Sequence, residues 1–354
     1  MTDIQTPLIF DGHHDLLSRL SAAGGRTAVE GFITGSPGHI DLPRAKKGGF
    51  GGGFFAIYVP SPMDIDGAME QMCKPQYDLP LPDPIASEPA LPPVMQQAAL
   101  LIDLERTGAV QICTSTDNIR ACFDQGRLAA IMHIEGAEAI DPDFHALDVL
   151  YNAGLRSVGP VWSRPTIFGS GVPFRFPSTG DTGPGLTQKG EELIRRCNQM
   201  GVMIDLSHLN EAGFWDVARL SDAPLVATHS NAHAICPQSR NLTDKQLSAI
   251  AESDGMVGLN FATAFLREDG QMQPDVPLDL LLRHLDHLIG ILGEDRVGIG
   301  SDFDGAMVPD SIGDVAGLNA LREAMRAHGY NDTLMTKLAH GNWLRVLATT
   351  WGEG

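Results

Sequence analysis

The sequence predicts an α/β fold of the (β/α)₈-barrel (TIM) type, distorted by extra loops and built as one domain over residues 1–354. Short runs of β-branched and apolar residues alternate with longer stretches of helical spacing, as repeated strand–helix units do. About eight such runs occur, which is the number that closes a barrel. A chain of 354 residues, 43% of them hydrophobic, suffices for one barrel-sized core.

The predicted strands end in polar or Gly-rich turns. They begin at Leu8, Gly53, Leu128, Leu155, Val202, Pro224, Met256 and Val297. Helical patterns occupy the intervals, most clearly in residues 187–200 and in residues 243–252, which each begin with a threonine typical of a helix N-cap.

Two stretches interrupt the alternation of strands and helices. Residues 75–93 are rich in proline, and residues 168–185 are rich in glycine and proline. We interpret both as active-site or dimer-contact loops rather than as linkers between domains.

The charge of the chain excludes one class of partner. The net charge is −19 and the pI is about 4.9, so no basic stripe is available to neutralise a nucleic-acid backbone. Small substrates and divalent cations are the partners that this charge favours.

The cysteines and the two ends of the chain predict a cytoplasmic protein. Five cysteines are scattered without a Cys-x-x-Cys pair, which is typical of free thiols in a reducing compartment. Residues 1–7 lack the apolar core of a secretory signal, and residues 348–354 are too polar for a lipid-anchor signal or a spanning helix. We therefore expect no association with a membrane.

Metal-binding residue types collect at the predicted strand ends, where barrel enzymes hold their reactive groups. Strand 1 runs into His13 and Asp15, which alternation along an extended chain turns to one face as a pair for a divalent ion. The alternative is a polar strand end with a capping aspartate. Strand 3 ends at Glu135, which must be metal-bound or held in a structural salt bridge to offset its desolvation.

Three further strand ends complete the pattern. The fifth and sixth predicted strands place one imidazole each, from His208 and His229, at neighbouring positions. The last strand ends at Asp302, close enough to the mouth to exchange a proton with a metal-bound water, whereas we interpret Asp304 as a turn or capping residue.

The number of ligands indicates two metal ions. A single catalytic zinc needs three protein ligands, and His13, Asp15, Glu135, His208 and His229 are five. If Glu135 bridges, each ion receives three ligands, at a separation of roughly 3.5 to 4 Å, with a bridging hydroxide as the nucleophile. Nitrogen and oxygen ligands favour Zn²⁺, with Co²⁺ or Mn²⁺ as substitutes.

These motifs resemble the membrane (renal) dipeptidase family of metallopeptidases in order and spacing along essentially the whole chain. The shared elements are Asp-Gly-His-x-Asp, Ile-Glu-Gly, Asp-Leu-Ser-His, Thr-His-Ser and Gly-Ser-Asp-Phe-Asp-Gly. The resemblance implies that the five residues are metal ligands with Glu135 bridging, and that Asp302 shuttles a proton to the leaving amine. It further implies a homodimer, of the soluble bacterial type.

Two substrate-binding residues are expected by the same resemblance. Arg240, in Ser-Arg-Asn, would hold the substrate's terminal carboxylate, the alternative being a surface ion pair. Trp162 stands where the family usually has a histidine that contacts the substrate carbonyl. Its indole N–H could donate a hydrogen bond, or the ring could be a pocket wall.

The leading hypothesis is a zinc-dependent dipeptidase, with dipeptides that carry a D-residue at the C-terminal position as one candidate class of substrate; the sequence does not determine the stereochemical preference. Because Trp162 departs from the family pattern, the first alternative is a related barrel amidohydrolase acting on N-acyl amino acids or on another small amide or lactone. The second is a non-catalytic metal-binding protein.

Overall fold

The protein is described by a computed structural model that covers residues 6–62 and 65–353. The prediction that residues 1–7 contain no secretory signal falls largely outside the described part, because residues 1–5 are not described. The strands are β1 (Ile9–His14), β2 (Phe50–Tyr58), β3 (Tyr77–Asp78), β4 (Val110–Ile112), β5 (Leu128–Glu135), β6 (Leu155–Gly159), β7 (Arg175–Phe176), β8 (Met203–Ile204), β9 (Val226–Ala227), β10 (Met256–Leu259) and β11 (Val297–Ile299).

Eight parallel strands form the barrel, in the order β8, β6, β5, β2, β1, β11, β10 and β9. The ring is completed between β8 and β9 by one isolated parallel bridge, Asp205 to Val226, where the Leu206 amide donates to the Val226 carbonyl at 2.9 Å. β4 pairs with the first three residues of β5, and β3 pairs with β7 in a separate antiparallel ribbon. The predicted (β/α)₈ barrel is confirmed.

Helices surround the barrel. They are α1 (Leu16–Ala22), α2 (Val29–Thr34), α3 (Leu42–Lys47), α4 (Ile65–Met72), α5 (Ser87–Arg106), α6 (Thr116–Gln125), α7 (His145–Asn152), α8 (Gln188–Met200), α9 (Glu211–Leu220), α10 (Asp244–Glu252), α11 (Thr263–Leu266), α12 (Leu278–Leu292), α13 (Leu318–His328), α14 (Asp332–Thr336) and α15 (Asn342–Trp351). Both predicted threonine caps are present: Thr187 accepts from the Gly190 amide, and Thr243 forms a capping box with Gln246.

All eight predicted strands are present within a few residues of their expected starts. The largest error is in β2, which begins at Phe50 and not at the predicted Gly53. The prediction started the strand too late because residues 51–53 are glycines, which have weak strand propensity. The glycine at 52 is required, since a Cβ there would lie 2.0 Å from the Ala129 carbonyl oxygen and its φ is +113°.

The barrel interior explains why the site lies at one end. Alternate residues of β5 face inward, beginning with Ala129 and Ile131, which join an apolar cluster closed at the base by Trp343 of α15. The Trp343 indole donates to the Ile299 carbonyl at 3.0 Å. The same inward face continues to Glu135 at the carboxyl end. Apolar packing therefore fills the base, and polar groups gather at the mouth.

The two unusual stretches both reach the mouth. Part of residues 75–93 forms β3, and part of residues 168–185 forms its partner β7. The prediction of a loop throughout residues 75–93 is wrong from Ser87 onward, because α5 begins there. Pro89 lies in the first turn, where the amide has no partner within the helix, whereas Pro92 and Pro93 lie inside the helix. The five cysteines are free, and no helix in the described ranges is long and apolar enough to cross a membrane.

Candidate metal centre

The five predicted ligands lie together at the carboxyl ends of the strands, and all are buried. Glu135 is central: its Oε1 atom is 2.9 Å from His208 Nε2, 3.5 Å from His229 Nε2 and 3.6 Å from His13 Nε2. His13 Nε2 is 3.3 Å from Asp15 Oδ2. One carboxylate therefore faces three imidazoles contributed by different strand ends.

Three overlapping groups of side chains at the strand ends can each hold a cation. Glu135, His208 and His229 offer ligand atoms within 4.8 Å of one another, as do His13, Asp15 and Asp302. Asp205 forms another such group with His13 and His229. The donors are imidazole nitrogens and carboxylate oxygens, which suit zinc, cobalt or manganese. The residues present therefore fit the metal ions that the sequence predicts.

The electrostatics of this cluster favour bound cations. Burial raises the pKa of Glu135 well above its usual range, with further increases from the neighbouring Asp15 and Asp302 charges. Burial lowers the pKa of His208 and of His229 well below the usual value, and the Arg240 charge lowers both further. Carboxylates that are costly to ionise and imidazoles that stay neutral are the groups that a divalent cation stabilises.

Hydrogen bonds fix the orientation of two imidazoles. His229 Nδ1 is 2.8 Å from Thr228 Oγ1, which donates to Asp205 Oδ2 at 2.7 Å. Because the Thr228 proton is used for the carboxylate, its oxygen accepts from Nδ1 and leaves the Nε2 lone pair facing Glu135. His208 Nδ1 is similarly 2.9 Å from Ser163 Oγ.

Asp302 follows β11 and is held beside the ligands. Its φ of 61° lies in the left-handed region, and its amide donates to the His13 carbonyl at 3.0 Å. Asn260, at the end of β10, donates from Nδ2 to Asp302 Oδ2 at 3.0 Å. Burial raises the pKa of Asp302, which suits a carboxyl group that gains and loses a proton.

Arg240 is buried beside the ligands and is not a surface residue. Its Nη2 atom lies 3.4 Å from His208 Nε2 and donates to the His229 carbonyl at 3.3 Å, while Nη1 donates to the Ser207 carbonyl. The guanidinium carbon lies 5.5 Å from the Phe265 ring centroid. This placement puts a cation next to the cluster, and burial lowers its pKa to about 10.

Trp162 lies at the side of the site in a row of aromatic rings. Its centroid is 5.7 Å from that of His208, 5.1 Å from that of Tyr58 and 5.6 Å from that of Phe174. Phe174 in turn stacks on Phe265 at 5.9 Å. Trp162 also lines a small cavity with residues 79–82.

Several site residues were not identified from the sequence. Asn260 follows β10 and Tyr58 is the last residue of β2, so both could have been noticed by position alone. Thr228 and Ser163 stand next to residues that were singled out, but only the folded chain shows that their hydroxyls meet the imidazoles. Asp304, interpreted as a turn residue, has a φ of 66°.

The chain is similar to known proteins over nearly its whole length. The model of the membrane dipeptidase family, peptidase family M19, matches residues 3–351. A metallo peptidase from Rhodobacter sphaeroides, crystallised with a phosphinate mimic of L-Ala-D-Ala, is 56% identical, with a TM-score of 0.96 over 98% of this chain and 100% of that chain.

Two further relatives agree with this match. The crystal structure of dipeptidase AC, a metallo peptidase, is 55% identical, with a TM-score of 0.95 over 98% of this chain and 100% of that chain. An uncharacterized protein in the pqqA 5′ region of Klebsiella pneumoniae is 51% identical over 260 residues, 73% of this chain and 96% of that protein. The chain belongs to the membrane dipeptidase family and is one of its enzymes.

Proposed function

We propose that this enzyme hydrolyses the peptide bond of dipeptides with two divalent cations, one held by His13, Asp15 and Glu135 and the other by Glu135, His208 and His229. The observation that carries the proposal is the central Glu135 carboxylate, whose Oε1 lies within 3.6 Å of an imidazole nitrogen from each of the three histidines. Such a carboxylate suits a bridge between two cations.

When bound, the two cations supply a hydroxide at neutral pH and a Lewis acid for the peptide carbonyl. The donor set favours Zn²⁺. Asp302 accepts the proton that the attacking water gives up and delivers it to the leaving amine, a role that its burial and its bond from Asn260 support.

Arg240 binds the C-terminal carboxylate of the dipeptide through its planar guanidinium. Its position beside His208 supports this role, because a carboxylate there would lie one residue from a scissile bond placed over the cations. The Rhodobacter sphaeroides relative was crystallised with a mimic of L-Ala-D-Ala, which supports a D-residue at the C-terminal position of substrates of this enzyme as well.

We further propose that the enzyme works as a single-domain protomer over residues 1–354, in a cytoplasmic homodimer. The free cysteines support a reducing compartment. Membership in a peptidase family favours catalysis over a purely structural metal site. The amidohydrolase alternative rests on Trp162, which provides an apolar wall where a histidine was expected.

The experiment is hydrolysis of a library of L,L and L,D dipeptides by metal-reconstituted protein, with N-acyl amino acids in the same panel and metal content measured on the same sample. We expect amino acids to be released at about two metals per chain. Cleavage of acyl amino acids without cleavage of dipeptides would replace the proposal with its alternative.

Arg240→Met tests the placement of the substrate. Loss of hydrogen bonds to a charged group costs about 1.5 to 3 kcal/mol, so kcat/KM should fall about 10- to 100-fold. Arg219→Lys, which changes an exposed ion pair with Glu191, is the matched control and should leave kcat/KM unchanged. An Arg240→Met enzyme as active as the Arg219→Lys enzyme would contradict carboxylate binding.

A further inference from the structure

Arg164 is a buried charged side chain at the barrel mouth that the proposed reaction does not use. It is fully buried, as is the side chain of Glu138 to which it is paired. Arg164 Nε and Nη2 each lie 2.9 Å from Glu138 Oε1. A buried ion pair is seldom retained for stability alone, because desolvation offsets most of its attraction.

The remaining donors of Arg164 connect the loops that follow three neighbouring strands. Nη1 donates to Ser61 Oγ at 2.6 Å and Nη2 donates to the Val59 carbonyl at 2.9 Å, both after β2. Glu138 follows β5, and Arg164 itself follows β6. Since β2, β5 and β6 are adjacent in the barrel, one guanidinium fixes three consecutive loops against one another.

Two aromatic rings rest on this guanidinium. Its central carbon lies 5.7 Å from the Tyr58 centroid and 5.8 Å from the Trp162 centroid, within the range of a cation–π contact. The Tyr58 hydroxyl is 3.0 Å from Ser61 Oγ, the same oxygen that receives Arg164 Nη1. The two rings are therefore held from behind, while each remains partly exposed.

The glycine before Glu138 allows the pair to form. Gly136 has a φ of +86°, and a Cβ at that position would lie 2.5 Å from Glu138 Oε2. Any larger residue would displace the carboxylate from beneath the loop. The backbone after Glu135 is thus shaped to fold this acid inward toward Arg164.

The wall formed by Tyr58 and Trp162 faces the metal-binding cluster. Tyr58 is the register partner of Glu135, and paired residues of parallel strands turn their side chains to the same face. The Trp162 ring lies beside His208. β2, which carries Tyr58, is four positions around the eight-strand ring from β9, which precedes Arg240. Tyr58 therefore lies across the mouth from the strand that leads to Arg240, and Trp162 extends the wall from Tyr58 toward His208.

We propose that Arg164, through its pair with Glu138, is a positioning residue that holds Tyr58 and Trp162 as a rigid apolar wall for the side chain of the substrate's N-terminal residue. This inference rests on the proposed dipeptidase function. The preferred substrates are dipeptides whose N-terminal residue is large and apolar. An acidic N-terminal side chain is disfavoured because the wall is apolar apart from the indole N–H and the Tyr58 hydroxyl, and that hydroxyl is already paired with Ser61 Oγ.

The test compares Leu-Ala, Ala-Ala and Glu-Ala as substrates of the metal-loaded enzyme. Wild type should prefer Leu-Ala. Arg164→Lys keeps the positive charge but cannot reach Glu138, Ser61 and Val59 together, so the ratio of kcat/KM for Leu-Ala over Ala-Ala should fall about tenfold, through KM, at unchanged metal content.

A second variant tests the same inference if Arg164→Lys does not fold. The double change Arg164→Met with Glu138→Gln removes both charges at similar volume and leaves no unpaired buried ion, and it should lower the same ratio. Arg196→Lys, in an exposed pair with Asp148, is the control and should keep the wild-type ratio.

The outcomes separate the two proposals. A loss of activity that is equal for Leu-Ala and Ala-Ala, or an unchanged ratio in both variants, would show a structural role and overturn the inference while the dipeptidase function stands. A wild-type enzyme that cleaves no dipeptide would overturn the proposed function, and with it the inference that rests on it.

Discussion

Replacing Thr228 with valine should weaken metal binding without creating a cavity. Valine has nearly the shape of threonine but lacks the hydroxyl that joins Asp205 to His229. In the variant, His229 Nδ1 loses its acceptor, so the imidazole is no longer held with Nε2 facing Glu135. Asp205 Oδ1 keeps its bonds from Ser207 and from the residue 228 amide, so the carboxylate itself stays in place.

The magnitude follows from these contacts. Loss of a hydrogen-bonding partner behind a metal ligand lowers metal affinity about 10- to 100-fold, which corresponds to about 1.4 to 2.7 kcal/mol. The metal-free protein should also lose about 1 to 3 kcal/mol of unfolding free energy, because one buried oxygen and one buried N–H lose their partner.

The assay is competition for zinc between the protein and a chelator, with urea unfolding of the metal-free protein alongside. Thr228→Ser retains the hydroxyl and is the matched control, with an expected affinity near wild type. The zinc ion that is bound with the lower affinity is the one to compare. If Thr228→Val bound this ion as tightly as Thr228→Ser does, the hydroxyl would not orient His229, and the tautomer assigned to this imidazole would be wrong.

Two other predictions concern proton transfer and pH. Asp302→Asn should keep both metals but lower kcat about 10²- to 10⁴-fold, whereas the exposed control Asp117→Asn should not; an Asp302→Asn enzyme with full turnover would exclude the proton-transfer role. Burial lowers the pKa of His284 from 6.5 to about 4, so its contribution to stability is complete above pH 6.5 and is lost as the pH falls toward 4. The unfolding free energy should therefore fall by up to about 1.4 kcal/mol per pH unit in that window, and His284→Gln should flatten this slope in urea titrations at several pH values.

The barrel could be predicted because each strand has a local signature. Runs such as that of β5 combine β-branched and apolar residues with a polar end, and the position of Glu135 after such a run already indicates the mouth. Eight such strand–helix units then favour a closed barrel, since eight is the number of parallel strands that closes one. The site was predictable to the extent that its ligands occupy strand ends.

What the sequence could not reveal depends on contacts between distant segments. Arg164 meets Ser61 across more than a hundred residues, and no spacing rule connects them. Asn260 reaches Asp302 because β10 and β11 are neighbours in the ring, which has to be known before the contact can be inferred. The start of α5 could not be predicted because its prolines favour a loop, and two of them, Pro92 and Pro93, nevertheless lie inside the helix.

Because a single backbone bridge joins β8 to β9, metal binding has a consequence for the barrel itself as well as for catalysis. These two strands have two residues each. They are joined by one backbone bridge, whereas β2 and β5 pair continuously along their length. His208 follows one strand and His229 follows the other. On the proposed ligand set, a cation bound by both imidazoles would connect the ends of these two strands, so we expect metal binding to stabilise the barrel where its backbone pairing is weakest.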